Sequence, residues 1–189
     1  MLRSPGPSAG TAQRLPLSEK LRLGDGADIR IRPVSAADRA GIAALFSRLS
    51  AESRHRRFLA PKHELTDREL GFFTDIDHVR HEALAAVDRR DNSVVGVARY
   101  VQYADRPRTA EVAFEVADDW QRIGIGSALV DRLIDRARTN GLDRLSARTR
   151  WENVPARALL RRLGFHARFS EGGEVELELA IESSGRLSA

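Results

Sequence analysis

Residues 121–141, QRIGIGSALVDRLIDRARTNG, constrain the fold of this 189-residue chain more than any other segment. From Gly126 to Ala137, small and apolar residues recur at helical spacing, which predicts an amphipathic helix with one apolar face. Asn140–Gly141 then ends the pattern as a helix C-cap. Because a run of β-type residues at 109–117 precedes the glycines, we expect a strand, a glycine turn and a long helix in succession.

Gly124 and Gly126 lie at the predicted N-terminus of this helix, where backbone N–H groups lack partners and the helix dipole is positive. Such a site attracts anions, and glycine lets phosphate oxygens approach the backbone closely. The Walker A loop needs GK[ST] after four spacer residues, which is absent, and the Rossmann loop needs glycine or alanine where Leu129 stands. A third pyrophosphate loop, Q/R-x-x-G-x-G/A, is matched at every position from Gln121 onward. A glycine turn that binds no ligand stays the alternative.

The rest of the chain alternates strand patterns with shorter helical ones. Strands are predicted twice within 21–34 and at 82–88, 93–103, 109–117, 143–149, 166–170 and 174–180. Further helices are predicted after Ser35 and at 50–59, 66–76 and 154–163. Short turns predict antiparallel pairing of the early strands, whereas the helix between 109–117 and 143–149 predicts a parallel pair with a right-handed crossover. The expected fold class is α/β (α+β), a mixed, mostly antiparallel sheet of about seven strands flanked by about four helices.

The composition is that of one globular domain, with 42% hydrophobic and 31% charged residues. We expect a disordered leader at 1–20, a domain at 21–183 and a tail at 184–189. There is no apolar run long enough for a membrane span, and cysteine is absent, which excludes disulfides and a cysteine nucleophile and favours a cytoplasmic protein. The net charge is +4, but acidic residues interleave with the arginines, so we expect no nucleic-acid and no membrane partner.

The sequence contains two groups of basic residues that bear on ligand binding. Three arginines in the second helical stretch are candidates to bind a phosphate or an acidic substrate, with simple solvation as the alternative: Arg54, Arg56 and Arg57. Four histidines are too irregularly spaced to predict a metal site: His55, His63, His78 and His81.

The order of strand, Gln/Arg-x-x-G-x-G loop, long helix, strand, Asn and helix over residues 28–180 resembles the GNAT family of acyl-CoA N-acyltransferases. The resemblance implies acetyl-CoA as the co-substrate, with its pyrophosphate held by the backbone amides of the loop. The implied loop residues are Gln121, Arg122, Ile123, Gly124, Ile125, Gly126 and Ser127. It also implies that Phe114 and Val116 contact the pantetheine arm through their backbones.

The segment WENVPARALLRRLGF (151–165) supplies the second half of the implied site. Asn153 suits a helix N-cap, and the resemblance implies that it also lies beside the pantetheine arm. Many GNAT enzymes carry a tyrosine at the position of Leu160, where it protonates the departing thiolate. Because leucine cannot do so, the proton is left to water, to the incoming ammonium or to another residue such as Tyr100 or Tyr103.

Acetyl transfer needs a neutral amine, and a lysine ammonium has a pKa of about 10.4, so a base has to remove a proton. Glu111 and Glu115 share one face of the strand at 109–117 by its period of two, with solvated surface glutamates as the alternative reading. Segments 49–61 and 72–87 resemble bacterial protein lysine acetyltransferases of the Pat type. In those enzymes the glutamate that matches Glu111 is the general base, and the position of Glu115 is usually apolar, which makes Glu115 the second candidate.

The sequence therefore predicts direct transfer of an acetyl group from acetyl-CoA to an amine, with no acyl-enzyme and with a protein lysine as the expected acceptor. Two alternatives stay open. One is an N-acetyltransferase for a small amine, and the other is a module that binds acyl-CoA without turnover, which the missing tyrosine at position 160 favours.

Overall fold

The structure is a computed structural model that describes residues 19–22, 26 and 28–181. These residues form eight strands and five α-helices. The strands are β1 (Glu19–Arg22), β2 (Asp28–Pro33), β3 (His81–Asp88), β4 (Val94–Gln102), β5 (Thr109–Val116), β6 (Arg144–Arg150), β7 (His166–Glu171) and β8 (Glu174–Ala180). The helices are α1 (Arg39–Ser47), α2 (Ala51–Phe58), α3 (Asp67–Thr74), α4 (Ile125–Thr139) and α5 (Val154–Arg162).

All eight strands belong to one sheet in the order β1-β2-β3-β4-β5-β6-β8-β7. Only β5 and β6 are parallel, and every other neighbouring pair is antiparallel. The predicted mixed sheet with one parallel pair is confirmed. The predicted tail and most of the predicted leader lie outside the described residues, although Glu19 and Lys20 begin β1.

The two faces of the sheet are covered by different helices. On one face α4 packs against β3, β4 and β5, and its residues Leu129 and Leu133 are fully buried. Gly96 of β4 permits this contact, because a Cβ there would lie 3.3 Å from the side chains of both Ile125 and Leu129. Alternate residues of β4 face the other side, where Arg99 stacks on Phe73 of α3. The sheet is thus the central layer of the fold.

The parallel pair separates soon after it begins. Pairing between β5 and β6 covers three residue pairs, from Thr109 with Arg144 to Glu111 with Ser146. Beyond Glu111, β5 stays paired with β4 as far as Val116, whereas β6 stays paired with β8 along its whole length. Because each strand follows its antiparallel neighbour, the two diverge and leave a cleft that opens from Glu111 toward the start of α4.

Candidate active site

The cleft between the separated strands has a volume of about 410 Å³. Its walls come from β5, β6, α2, α5 and the loop that leads into α4. The sequence-predicted site residues that line it are Phe114, Glu115, Val116, Gln121, Arg122, Gly124, Gly126, Ser127 and Asn153. Three residues of the predicted set are outside this lining: Glu111, Ile123 and Ile125. Most of the residues predicted from separate segments are therefore brought together around one space.

The edge of β5 presents backbone groups to the cleft. The N–H of Ala117 donates to the carbonyl of Val95 on β4 at 2.9 Å. Because successive residues of a strand direct their backbone groups to opposite sides, Val116 and Phe114 direct theirs away from β4 and into the cleft. No strand pairs with this edge beyond Glu111 among the described residues. An extended chain with amide groups is the kind of ligand that such an edge accepts.

The glycine loop presents a second set of free amides. The six backbone N–H groups from Arg122 to Ser127 donate to no residue in the described ranges. They surround the N-terminus of α4, whose macrodipole favours an anion. Gly124 is the N-cap with φ of 100°, and Arg122 has φ of 67°, a conformation that is uncommon outside glycine. This geometry fits a pyrophosphate group.

Gly126 also fits a ligand that lies close to the backbone. A Cβ at this position would lie 3.1 Å from Leu159 Cδ1 and within 4 Å of the Val116 and Phe114 side chains. The absence of a side chain therefore keeps the cleft open where α4, α5 and β5 meet.

The side chains of Gln121 and Ser127 form hydrogen bonds within the protein. The Gln121 amide nitrogen donates to the Val116 carbonyl and to Asp118 Oδ1, both at 3.0 Å. The Ser127 hydroxyl accepts a hydrogen bond from Arg162 of α5. Gln121 thus links the end of β5 to the loop, whose backbone N–H groups from Arg122 to Ser127 remain free to bind a ligand.

Asn153 caps α5 as its sequence position predicts. Its Oδ1 accepts from the Ala156 N–H at 3.3 Å, and its Nδ2 donates to Thr149 Oγ1 at 3.0 Å. Leu160, about two turns further along α5, lines the cleft and is 1% exposed. The position that carries tyrosine in many GNAT enzymes therefore faces the cleft here with an apolar side chain.

The two tyrosines considered as proton donors have other contacts. Tyr100 is fully buried, and its hydroxyl donates to the Val79 carbonyl at 3.0 Å and accepts from Asn140 at 2.6 Å. Burial raises the pKa of Tyr100 to about 12. Tyr103 follows the last residue of β4, and its hydroxyl is 3.0 Å from Ser146 Oγ. Neither residue lines the cleft.

The two candidate bases differ in their surroundings. Glu111 lies where β5 and β6 part, its side chain is 34% exposed, and its Oε1 is 3.4 Å from Arg148 Nε. Glu115 lines the cleft, is 9% exposed and forms a short ion pair with Arg57 of α2. Both lie on the face of β5 that α2 covers, as the period of two predicts.

Sequence reasoning missed the partners of these carboxylates. Of the three arginines examined in α2, only Arg57 reaches Glu115, whereas Arg54 donates to backbone carbonyls and Arg56 pairs with Glu52. Arg99 was not singled out, although a lone arginine within the apolar run VVGVARYV is a signal for a buried cation. Among the described residues, no cluster of histidines and carboxylates could hold a metal ion. None of the described helices has both the length and the apolar character needed to span a membrane.

The separated strands, the free β5 edge and the amide-lined helix N-terminus together define an acyl-CoA-dependent acyltransferase. The model of the GNAT acetyltransferase family matches residues 46–165 of this chain. An acetyltransferase of Pseudomonas aeruginosa is 34% identical over 145 residues, which is 76% of this chain and 77% of that protein. The chain belongs to the GNAT family of N-acetyltransferases, whose co-substrate is acetyl-CoA.

Similarity to Pat-type enzymes is also found. Acetyltransferase Pat of Mycolicibacterium smegmatis is 34% identical over 115 residues, which is 61% of this chain and 34% of that relative. The crystal structure of the GNAT domain of S. lividans PAT superposes with a TM-score of 0.81 and 28% identity. That superposition covers 87% of this chain and 97% of the other. The chain thus spans about a third of the length of the M. smegmatis relative.

Proposed function

We propose that this chain transfers an acetyl group from acetyl-CoA directly to an amine, and that a protein lysine side chain is the acceptor. The observation that carries the proposal is two sets of free backbone amides along one cleft, those of Phe114 and Val116 on the β5 edge and those from Arg122 to Ser127 around the start of α4. When bound, acetyl-CoA supplies an acetyl group already activated as a thioester. The similarity to Pat-type enzymes supports lysine as the acceptor.

The backbone of β5 orients the reacting group in this proposal. The N–H groups of Phe114 and Val116 bind the pantetheine arm as an added strand would, which leaves the thioester on the Glu111 side of Phe114. The amides from Arg122 to Ser127 neutralise the pyrophosphate. Asn153 keeps α5 in place beside the arm through its N-cap, so that the cleft keeps its width.

Glu111 is proposed to remove the proton from the amine. On β5 the cleft lining begins at Val112, the residue after Glu111, so an arm that runs along β5 from the glycine loop ends close to the Glu111 carboxylate. Its side chain is partly exposed, which gives an abstracted proton a path to solvent. Glu115 is the second candidate, but its carboxylate is engaged by Arg57 and is less free to accept a proton.

The first experiment measures release of the CoA thiol from acetyl-CoA with two panels of acceptors, lysine-containing proteins and small amines. Mass spectrometry then locates the added acetyl group. Acetylated lysines in the protein panel support the proposal, whereas turnover limited to free amines identifies a small-molecule N-acetyltransferase. Tight acetyl-CoA binding with no thiol release in either panel identifies an acyl-CoA-binding module, the class that Leu160 favours. A cytoplasmic location stays a prediction from the sequence.

The base is tested by Glu111→Gln, which keeps the size of the side chain and removes its basicity. A general base contributes about 10²- to 10⁴-fold to the rate, so we expect kcat to fall by at least about 100-fold at neutral pH. Glu64→Gln is the control, because Glu64 is exposed and outside the cleft lining. If the Glu111 variant keeps most of its rate at neutral pH, Glu111 is not the base.

A further inference from the structure

The α2 side of the cleft holds a buried cluster of three charged side chains. Glu115 of β5 lies between Arg57 of α2 and Arg99 of β4. Arg57 Nε forms a short ion pair with Glu115 Oε2, and Arg99 Nη2 lies 4.0 Å from Oε1. The exposed fractions of the Arg57, Glu115 and Arg99 side chains are 13%, 9% and 3%. One carboxylate is thus shared by two guanidinium groups.

This arrangement leaves an excess positive charge inside the protein. Two cations and one anion give the cluster a net charge of +1. The Nε and Nη2 atoms of Arg99 are buried and have no hydrogen-bond partner within the described part of the chain. His81 beside it adds no further positive charge near neutral pH, because burial and Arg99 lower its pKa to about 4. A buried charge without full compensation is unfavourable, and a bound anion would relieve it.

Of the two arginines in the cluster, Arg57 is the one that a ligand in the cleft can reach. Arg57 and Glu115 line the cleft, whereas Arg99 lies behind them. Arg57 uses Nε for Glu115, and its terminal Nη1 and Nη2 atoms donate to no described residue. A guanidinium with a free fork of two N–H donors matches the geometry of a carboxylate.

The position of Arg57 relative to Glu111 sets the size of the ligand. Glu111 and Glu115 share one face of β5, and four residues of strand separate their Cα atoms by about 13 Å. Since Arg57 contacts Glu115, an acceptor that reaches both Glu111 and Arg57 has its amine and its carboxylate on the order of 10 Å apart. An α-amino acid that reacts at its α-amine is too short. A lysine ε-amine is long enough when a carboxylate lies on the same residue or on the next.

We propose that Arg57, held by Glu115 and backed by Arg99, forms a subsite for a carboxylate of the acceptor. The subsite selects ε-amines of lysines that carry a nearby carboxylate, either the C-terminal carboxylate of the residue or an adjacent acidic side chain. This inference rests on the proposed acetyl transfer and adds the chemistry of the acceptor. Arg57 contacts the substrate, and Glu115 is a positioning residue.

Two matched acceptor pairs test the subsite and separate its two sources of carboxylate. The first pair is Nα-acetyl-lysine and Nα-acetyl-lysinamide, which differ only in the terminal carboxylate. The second is an amide-capped Lys-Glu dipeptide and its Lys-Gln counterpart. A charge-assisted hydrogen bond pair is worth about 10- to 100-fold, so we expect kcat/KM to favour one or both acidic members by this factor.

Arg57→Gln is expected to lower the ratio of kcat/KM for the acidic acceptor to kcat/KM for its neutral counterpart to about one. Arg57→Lys is expected to keep part of this preference, because lysine still supplies a positive point charge. Arg138→Gln is the control for a lost positive charge, because Arg138 pairs with Asp135 on α4 outside the cleft lining, and the ratio is expected to stay at the wild-type value. Should Arg57→Gln fail to fold, the double variant Arg57→Gln/Glu115→Gln removes both members of the ion pair and gives the same readout.

The outcomes distinguish the two proposals. Equal kcat/KM for both members of each pair, or a ratio that Arg57→Gln leaves unchanged, overturns the subsite and leaves acetyl transfer standing. No transfer to any acceptor overturns the proposed function. In that case calorimetry with Nα,Nε-diacetyl-lysine and its amide decides the subsite, which is refuted if wild type and Arg57→Gln bind the two equally.

Discussion

His81 at the start of β3 is expected to make the protein lose stability in mild acid. Its side chain stacks on Phe72 with ring centroids 4.8 Å apart, the residue is 9% exposed, and its Nε2 has no partner among the described residues. Burial, followed by the positive charge of Arg99, lowers the pKa of His81 from 6.5 to about 4. The folded protein therefore holds this imidazole neutral where an unfolded chain would protonate it.

The sign and size of the effect follow from these two pKa values. Between pH 6.5 and about 4 the unfolded chain binds a proton that the folded protein does not, so the free energy of unfolding falls as the pH falls. Going from about pH 7.5 to about pH 4.5, a shift from 6.5 to about 4 removes about 2.5 kcal/mol of stability.

The measurement is urea unfolding of wild type and His81→Phe across this pH range. Phenylalanine keeps the stack on Phe72 and removes the titrating group, so the difference in unfolding free energy between the two proteins should change by about 2.5 kcal/mol. His166→Gln is the control, because His166 is exposed on β7, and we expect the pH dependence of wild type. A parallel pH dependence for wild type and His81→Phe would refute the reasoning.

Two further substitutions test the assignment of the cleft. Gly126→Ala places a methyl group 3.1 Å from Leu159 Cδ1. A gain of about 1 kcal/mol in helix propensity then opposes a packing cost of about 1–3 kcal/mol. Stability should stay within about 2 kcal/mol of wild type while calorimetry shows acetyl-CoA binding at least about tenfold weaker. An unchanged Kd would contradict the loop assignment. Tyr100→Phe removes the hydroxyl that accepts from Asn140 Nδ2 and donates to the Val79 carbonyl, so the free energy of unfolding should fall by about 1–3 kcal/mol with kcat unchanged. A large loss of kcat would instead make Tyr100 the proton donor.

Local patterns were sufficient to predict the elements that carry the site. The strand expected at 109–117 is observed at Thr109–Val116, and the helix expected after Gly124 is α4. Asn153 was predicted as an N-cap and is one. These features depend on residues a few positions apart, where the periodicity of apolar residues and the chemistry of caps decide the conformation.

Contacts between segments that are distant in the sequence could not be predicted from local patterns. Arg57 and Glu115 are 58 positions apart, and their pairing depends on how α2 lies across β5. The period of two places Glu111 and Glu115 on one face, but it does not tell which of them has a guanidinium on its carboxylate. The length over which β5 and β6 stay paired likewise depends on their outer neighbours, since each strand follows its own antiparallel partner.

The two departures from the common GNAT pattern line the same cleft. Leu160 makes the α5 wall apolar where a phenol is usual, and Glu115 with Arg57 makes the α2 wall charged where an apolar residue is usual in Pat-type enzymes. A thiol like that of CoA has a pKa of about 8.5, so its thiolate is a tolerable leaving group near neutral pH without a protein acid. We therefore expect the loss of the phenol to cost little in rate, and the proposed Arg57 subsite to change which amines react. The proposed subsite would thus alter the choice of acceptor more than the chemistry of the transfer.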